Sequence, residues 1–418
     1  MHLLLIHQNF PGQFRELGPA WLGAGHRLTA IGSRPERPNG QPWRGLDYWD
    51  YQIQTEDKGS KPGIHQRGEA VAHLCQHLLA QGIRPDVVLV HSAWGEALRL
   101  RSVLPETPLV IYPELWGTPE ALGIGFDGRL PRSADSGSAA LKDPTSLNPR
   151  LERQNLLADL AISQADAVVV PSRSQIESFP ERLRPQMQLI PEGVDLQRAR
   201  PNPEARLEVP GLPPLRAGDP IVTLVSRELE PLRGLRAALS AWPEITVACP
   251  EARLVLVGGR EGGYGGEQPI RGSHLEDALA ELPEEVDRSK ILQPGRLDYA
   301  DLLQLLQCSA CHLSLSYPYT LSWSTLEAMA CGAPVITNQG SPLSRELSHG
   351  ESGLIVDFGS GPELSQAVIR ILKEQQTRRS LALAGHQLIE QRFSLTQALD
   401  LYAQLFRQLI GRATHPAH

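Results

Sequence analysis

The amino-acid sequence predicts an α/β protein of two Rossmann-like, doubly wound domains facing a central cleft, and three observations carry that expectation. Strand, loop and helix alternate along most of the chain. The predicted strands are near-continuous apolar runs, as strands buried on both faces must be. The 418 residues, 41% hydrophobic and only 5% aromatic, suffice for two ordinary cores.

The pattern opens with a strand over residues 2–7, the loop Gln8-Asn-Phe-Pro-Gly12, a helix over 13–25 and a second strand over 27–31. Asp86-Val-Val-Leu-Val-His91, Pro108-Leu-Val-Ile-Tyr-Pro-Glu114, Ala165-Asp-Ala-Val-Val-Val-Pro171 and Met187-Gln-Leu-Ile-Pro191 read as the remaining strands of a first domain, residues 1–197. Two loop-like insertions, about 35–68 and 123–148, have the length of functional lids. The proline-rich, aperiodic stretch 198–220 is expected as a linker. A second domain, 221–394, repeats the logic with apolar runs near residues 221, 252, 290, 310, 334 and 353. After a break near Phe393-Ser394, residues 395–418 are expected as a helix packing back toward the first domain.

Composition excludes several classes of function. The net charge of −7 is not gathered into blocks, so the chain lacks both a nucleic-acid footprint and a polybasic membrane anchor. The run Met1-His-Leu-Leu-Leu-Ile-His7 has no basic flank and no small-residue cleavage site, and reads as a first strand and not a leader. With no apolar stretch near the ~20 residues that span a bilayer, a cytoplasmic protein is expected, peripheral to the inner membrane face at most. Five cysteines, an odd number, suit reduced thiols better than disulfides. Cys308-Ser-Ala-Cys311-His312 has the C-x-x-C-H form of a haem attachment site, but it ends an amphipathic helix and enters a buried strand. With no second cysteine pair at metal spacing, neither metal nor cofactor is expected.

The stretch Ser316-Tyr-Pro-Tyr-Thr-Leu-Ser-Trp-Ser-Thr-Leu-Glu327-Ala-Met-Ala-Cys-Gly-Ala-Pro-Val335 reads as strand, tight loop, helix start and next strand. The spacing of Leu326, Met329 and Ala330 begins a helix near Ser324, whose first amides suit a diphosphate. Ser324-x-x-Glu327 is equally a capping box, in which Glu327 serves only the helix. A second loop, Ser226-Arg227-Glu-Leu-Glu-Pro-Leu-Arg233-Gly234, follows a central strand and carries two arginines. Guanidinium forks match phosphate oxygens and keep their charge at any working pH. Standing alone, that loop would read as a solvated surface. Paired with the first, it reads as a diphosphate clamp.

In this combination the chain resembles a family 4 glycosyltransferase of the GT-B fold over nearly its whole length. The likeness rests on Ser226-Arg227, Arg233-Gly234, Glu327-Ala-Met-Ala-Cys-Gly332-Ala-Pro334-Val335, Pro171-Ser172, Pro191-Glu-Gly-Val-Asp195 and the glycine loop ending at Gly12. The resemblance implies transfer of a sugar from a nucleotide-diphosphate donor with retention of configuration. The donor would act as co-substrate, and the acceptor would be an unidentified glycan, lipid, protein or small metabolite. It further implies that Arg227 and Arg233 neutralise the leaving diphosphate and that Glu327 accepts from the ribose hydroxyls. The backbone amides of Ser322, Trp323 and Ser324 would meet the phosphates, with Gly12, Tyr319, Thr320 and Leu321 completing the donor set. Fixed positive charge would then stand in for a metal, and no Asp-x-Asp motif occurs in the chain.

Two positions depart from the family. Tyr319 stands where relatives carry the first glutamate of Glu-x7-Glu, and a tyrosine brings no charge at neutral pH. Glu114 stands where many relatives place a histidine near the reacting sugar, and its carboxylate would accept from a hydroxyl or stabilise oxocarbenium-like charge. His91, one strand earlier, is either a substrate contact or a satisfied structural group. Trp94 and Trp116 suit either stacking on an acceptor ring or burial. The departures leave open a degenerate relative that binds nucleotide sugar without turnover.

Overall fold

The computed structural model describes residues 1–33, 43–54, 61–118, 149–260, 268–317 and 320–414. The expected insertion at 123–148 and the candidate Tyr319 lie outside the described residues. The chain forms two compact units: among the described residues, 1–118, 149–193 and 394–414 make the first, and 194–393 the second.

The first unit is built on strands β1 (His2–Ile6), β2 (Arg27–Gly32), β3 (Leu46–Asp50), β4 (Val87–His91), β5 (Leu109–Tyr112), β6 (Ala167–Val170) and β7 (Met187–Leu189). They form one parallel sheet in the order β3-β2-β1-β4-β5-β6-β7. Helices α1 (Leu17–Gly23), α2 (Lys61–Ala80), α3 (Leu100–Val103), α4 (Pro149–Ser163) and α5 (Arg173–Ser178) lie between the strands in sequence. Alternation along β1 divides the core, as strand geometry requires. Leu3 and Leu5 face a cluster that includes Tyr402, Leu405 and Phe406 of the C-terminal helix Leu395–Thr414, while Leu4 and Ile6 face Val71, Cys75 and Leu78 of α2. The C-terminal helix therefore returns to the first unit, as the sequence predicts.

Two local expectations need correction. The helix expected over 13–25 is a 3-10 turn, Gly12–Phe14, followed by the shorter α1. Pro19 lacks an amide hydrogen and its ring clashes with the carbonyl four residues back, so regular helix starts only just before it. The insertion expected at 35–68 contains β3 and the first turns of α2. Short aromatic runs and a Lys-Pro start disguised both.

The second unit begins with a ribbon of two antiparallel strands, β8 (Arg206–Leu207) and β9 (Leu215–Arg216). Its main sheet holds β10 (Ile221–Glu228), β11 (Arg253–Gly259), β12 (Ile291–Gly295), β13 (Cys311–Ser314), β14 (Val335–Asn338) and β15 (Leu354–Val356). These are parallel, in the order β12-β11-β10-β13-β14-β15. Helices α6 (Leu235–Ala248), α7 (His274–Ala280), α8 (Tyr299–Cys308), α9 (Trp323–Ala330), α10 (Gly361–Lys373) and α11 (Gln375–Arg392) complete it. The stretch expected as a linker folds onto this unit: Ala205, Leu207 and Leu215 are buried with Leu305 and Cys308 of α8.

All five cysteines are free thiols, and Cys308, Cys311 and His312 are core residues. His312 Nδ1 lies 2.9 Å from Thr223 Oγ1, and burial pushes the imidazole down to about 4, so it is neutral at working pH. Among the described residues no helix is long and apolar enough to cross a membrane.

Candidate active site

In an open parallel sheet, ligands sit beyond the carboxyl ends of the strands where the strand order reverses. That switch falls between β1 and β4 in the first sheet and between β10 and β13 in the second. The residues singled out by the sequence follow these four strands or β5 beside them.

In the second unit, the pairing of β10 with β11 slips register between Val225 and Glu228, a bulge that contains Ser226 and the exposed Arg227. Bulges at strand ends re-aim side chains, here at the switch point. A 3-10 turn, Pro231–Arg233, then leads into Gly234 at φ 76°. A Cβ at Gly234 would stand 2.2 Å from Leu315 Cβ, so only glycine lets this loop close on the end of β13. The closure brings Arg233 to Ser316, with Nη1 donating to Oγ at 2.8 Å, and the Tyr317 amide to the Leu232 carbonyl at 3.0 Å. Arg233 Nε also lies 3.8 Å from the buried carboxylate of Glu230. The arginine loop and the start of the stretch from Ser316 to Val335 are thus one constellation.

The motif's helix starts one residue earlier than expected. Ser322 is the N-cap of α9, without a side-chain cap, and Trp323 and Ser324 are its first two residues. The capping-box reading required Ser324 at the N-cap and is overturned. Ser322 and Ser324 share a hydroxyl hydrogen bond of 2.9 Å, and Thr320 and Leu321, half-buried, lead into the turn. Glu327 is buried and accepts from the Tyr299 hydroxyl of α8 at 2.9 Å. The sequence did not single out Tyr299, because its partner lies 28 residues away on another helix. Removing a hydrogen bond to a charged group costs about 1.5–3 kcal/mol. Tyr299→Phe is therefore expected to weaken nucleoside diphosphate binding about tenfold while circular dichroism stays unchanged.

In the first unit, His91 ends β4 and Glu114 follows β5. Their side chains meet with Nε2 3.6 Å from Oε2, an ion-pair distance and not a hydrogen bond. Both ring nitrogens of the buried His91 lack a hydrogen-bond partner in this arrangement. Glu114 holds φ 65°, left-handed for a residue with a Cβ, and its carbonyl accepts from Gln175 Nε2 at 3.0 Å. Such backbone strain costs of order 1–3 kcal/mol and clusters at functional sites. Burial opposes charge on His91, but the carboxylates of Glu114, Glu96 and Glu192 outweigh it and raise the imidazole above its ordinary value.

The Tyr112 ring stacks on His91 with centroids 5.5 Å apart, and its hydroxyl donates to Glu192 at 2.6 Å. Just past the neighbouring strand β1, the His7 ring lies 4.5 Å from that of His91. His7 Nδ1 accepts the Asn9 amide at 2.9 Å, so Nε2 carries the hydrogen and donates to Gln13. Gly12 packs flush on this ring: a Cβ there would fall 2.3 Å from His7 Nε2. Trp116 packs edge-on against Phe179, and the carbonyl of Trp94 is held by Arg67. His7, Arg67 and Glu192 are additions that periodicity could not supply, although Glu192 stood inside the quoted Pro191-Glu-Gly-Val-Asp195.

Burial, reinforced by the Glu114 carboxylate, pushes Glu192 up to about 7 against the Tyr112 hydroxyl. Between the ordinary value of 4.5 and about 7 the native state holds a proton that the unfolded chain has released. This group's contribution to stability is therefore present below that window and lost as pH rises through it. Glu192→Gln is expected to flatten the slope of stability against pH across the window. Urea midpoints at pH 5 to 8 check it, and an unchanged slope contradicts it.

Two parallel Rossmann-like sheets in tandem, with a C-terminal helix returning to the first, define the GT-B class of fold. Sucrose-phosphate synthase from Thermosynechococcus elongatus is similar at TM-score 0.73 and 19% identity, over 98% of this chain and 99% of that chain. Anabaena HepE in complex with UDP-glucose is similar at TM-score 0.66 and 16% identity, over 98% of this chain and 100% of that chain. The model of the glycosyl transferase family 4 group matches residues 24–199, and that of glycosyl transferases group 1 matches 213–387. The chain belongs to the family 4, group 1 glycosyltransferases. A GDP-mannose-dependent monoacylated alpha-(1-6)-phosphatidylinositol monomannoside mannosyltransferase from Corynebacterium glutamicum is 29% identical over 50% of this chain and 53% of its own length. A D-inositol 3-phosphate glycosyltransferase from Rhodococcus jostii is 31% identical over 46% and 41%. The matched region thus spans about half the length of these curated relatives.

Proposed function

We propose that the protein is a retaining, metal-independent glycosyltransferase that moves a sugar from a nucleotide-diphosphate-sugar to an acceptor, the donor being co-substrate and no cofactor being needed. The observation that supports this most is the closure of Gly234 on Leu315, which sets Arg233 against Ser316 a few residues ahead of the α9 amino end. As the bond to the anomeric carbon breaks, the diphosphate gains negative charge. Arg227 and Arg233 answer it with positive charge, and the amides of Ser322, Trp323 and Ser324 add aligned dipoles. Glu327, oriented by Tyr299, accepts from the ribose hydroxyls. His91 and Glu114 serve the reacting sugar and acceptor, the Glu114 carboxylate stabilising cationic character at the anomeric carbon. Related proteins whose names include GDP-mannose, and structures solved with UDP-glucose, support a nucleotide-sugar donor without choosing the base.

The test is turnover with a panel of nucleotide sugars and hydroxylated acceptors in excess EDTA, the product anomer being read by proton NMR. Product with the donor's anomeric configuration, at a rate that EDTA leaves unchanged, is expected. An inverted product, or a rate restored only by divalent metal, would refute the proposal. Saturable binding of nucleotide sugar with no turnover for any pair would favour the degenerate reading.

A further inference from the structure

We propose that Arg67 and Glu96 are positioning residues for His91 and Glu114, acting through the loop that follows β4; the inference rests on the reading of that pair as the reacting groups. Arg67 projects from α2, and Glu96 closes the loop that His91 opens. Both side chains are 0% exposed, with Arg67 Nε 3.5 Å from Glu96 Oε1. Arg67 Nη1 donates to the Trp94 carbonyl at 2.6 Å, and the Trp94 amide donates to Glu96 Oε2 at 3.2 Å. Guanidinium, carbonyl, amide and carboxylate thus close a ring around the middle of the loop.

A ring of this kind is a poor way to gain stability. Removing two charges from water costs several kcal/mol per ion, and apolar side chains of similar volume often serve the fold as well or better. What the ring does is fix the backbone between His91 and Glu96 and keep in place a Glu96 carboxylate whose charge favours the imidazolium. Glu114 gives the largest support for charge on His91, Glu96 the next and Glu192 the third. His7 of the β1 loop is neutral by its own hydrogen bonds, and Tyr112 is a hydroxyl whose ionisation burial suppresses. Glu114 faces it directly, Glu192 approaches from beyond β7, Tyr402 of the C-terminal helix lies behind Tyr112 and Glu192, and Tyr51 sits beyond Arg67. Burial pushes the Glu96 carboxyl up, while the Arg67 guanidinium and His91 oppose it.

The experiment uses the full chain with labelled histidine, the His91 resonance being identified by its loss in His91→Gln. In the double variant Arg67→Met/Glu96→Gln neither charge is left unpaired. Its His91 titration midpoint is expected to fall, since the Glu96 carboxylate no longer favours the imidazolium. Glu96→Asp keeps the charge and shortens the reach. Its midpoint is expected to stay in place while kcat for nucleotide-sugar turnover falls about tenfold, with KM for the donor unchanged. An unmoved midpoint in the double variant, or an unchanged kcat in Glu96→Asp, would overturn the inference. The reading beneath it fails separately, if His91→Gln turns over as fast as the unaltered protein.

Discussion

Arg233→Ala is expected to lower kcat about a hundred- to a thousandfold, the scale seen when one group that answers developing negative charge is removed. The side chain is anchored before any ligand arrives, by Ser316 Oγ at 2.8 Å and by the buried Glu230 carboxylate at 3.8 Å. Its charge therefore costs little reorganisation at the moment of transfer. Arg233→Lys separates charge from geometry, because lysine keeps the positive charge and loses the fork that reaches Ser316 and a phosphate together. An intermediate loss of about tenfold is expected there. Steady-state release of nucleoside diphosphate measures both, and wild-type kcat in Arg233→Ala would remove the residue from the mechanism.

Gly234→Ala is expected to damage fold and function together. Alanine at φ 76° costs about 1–2 kcal/mol. Its Cβ would also fall 2.2 Å from Leu315 Cβ, an atom fixed to the backbone that cannot swing aside. Relieving the clash moves either the arginine loop or the end of β13, at a further ~1–3 kcal/mol. Urea denaturation should show the combined loss. A kcat depressed about as far as in Arg233→Ala should accompany it, because both changes unseat the same guanidinium. Native stability with native turnover would mean that the loop closes in some other way.

The parts of this site that could be read from sequence were those carried by short, ordered strings. Ser226-Arg227 and Arg233-Gly234 follow an apolar strand at fixed spacing, and Glu327 follows the start of α9 by four residues, so each reveals itself locally. The cap of α9 lies two residues before the one the capping box offered because Ser322 and Ser324 are equally good caps by type, and only backbone geometry separates them. Residues 198–220 looked like a linker because β8 and β9 are two residues each, too short for alternation to show, and their burial depends on α8 from a hundred residues later. Arg67 and Glu96 were illegible for the same reason. One lies within an apparent insertion, the other in a loop, and only folding closes their ring around Trp94.

The most direct measurement is calorimetric titration of adenosine, guanosine, uridine and thymidine diphosphates into the unaltered protein and into Arg227→Ala/Arg233→Ala. At least one diphosphate is expected to bind the unaltered protein at one site per chain and to lose about a hundredfold or more in affinity in the double variant. Absence of binding by every diphosphate, or equal affinity in both proteins, would contradict the account.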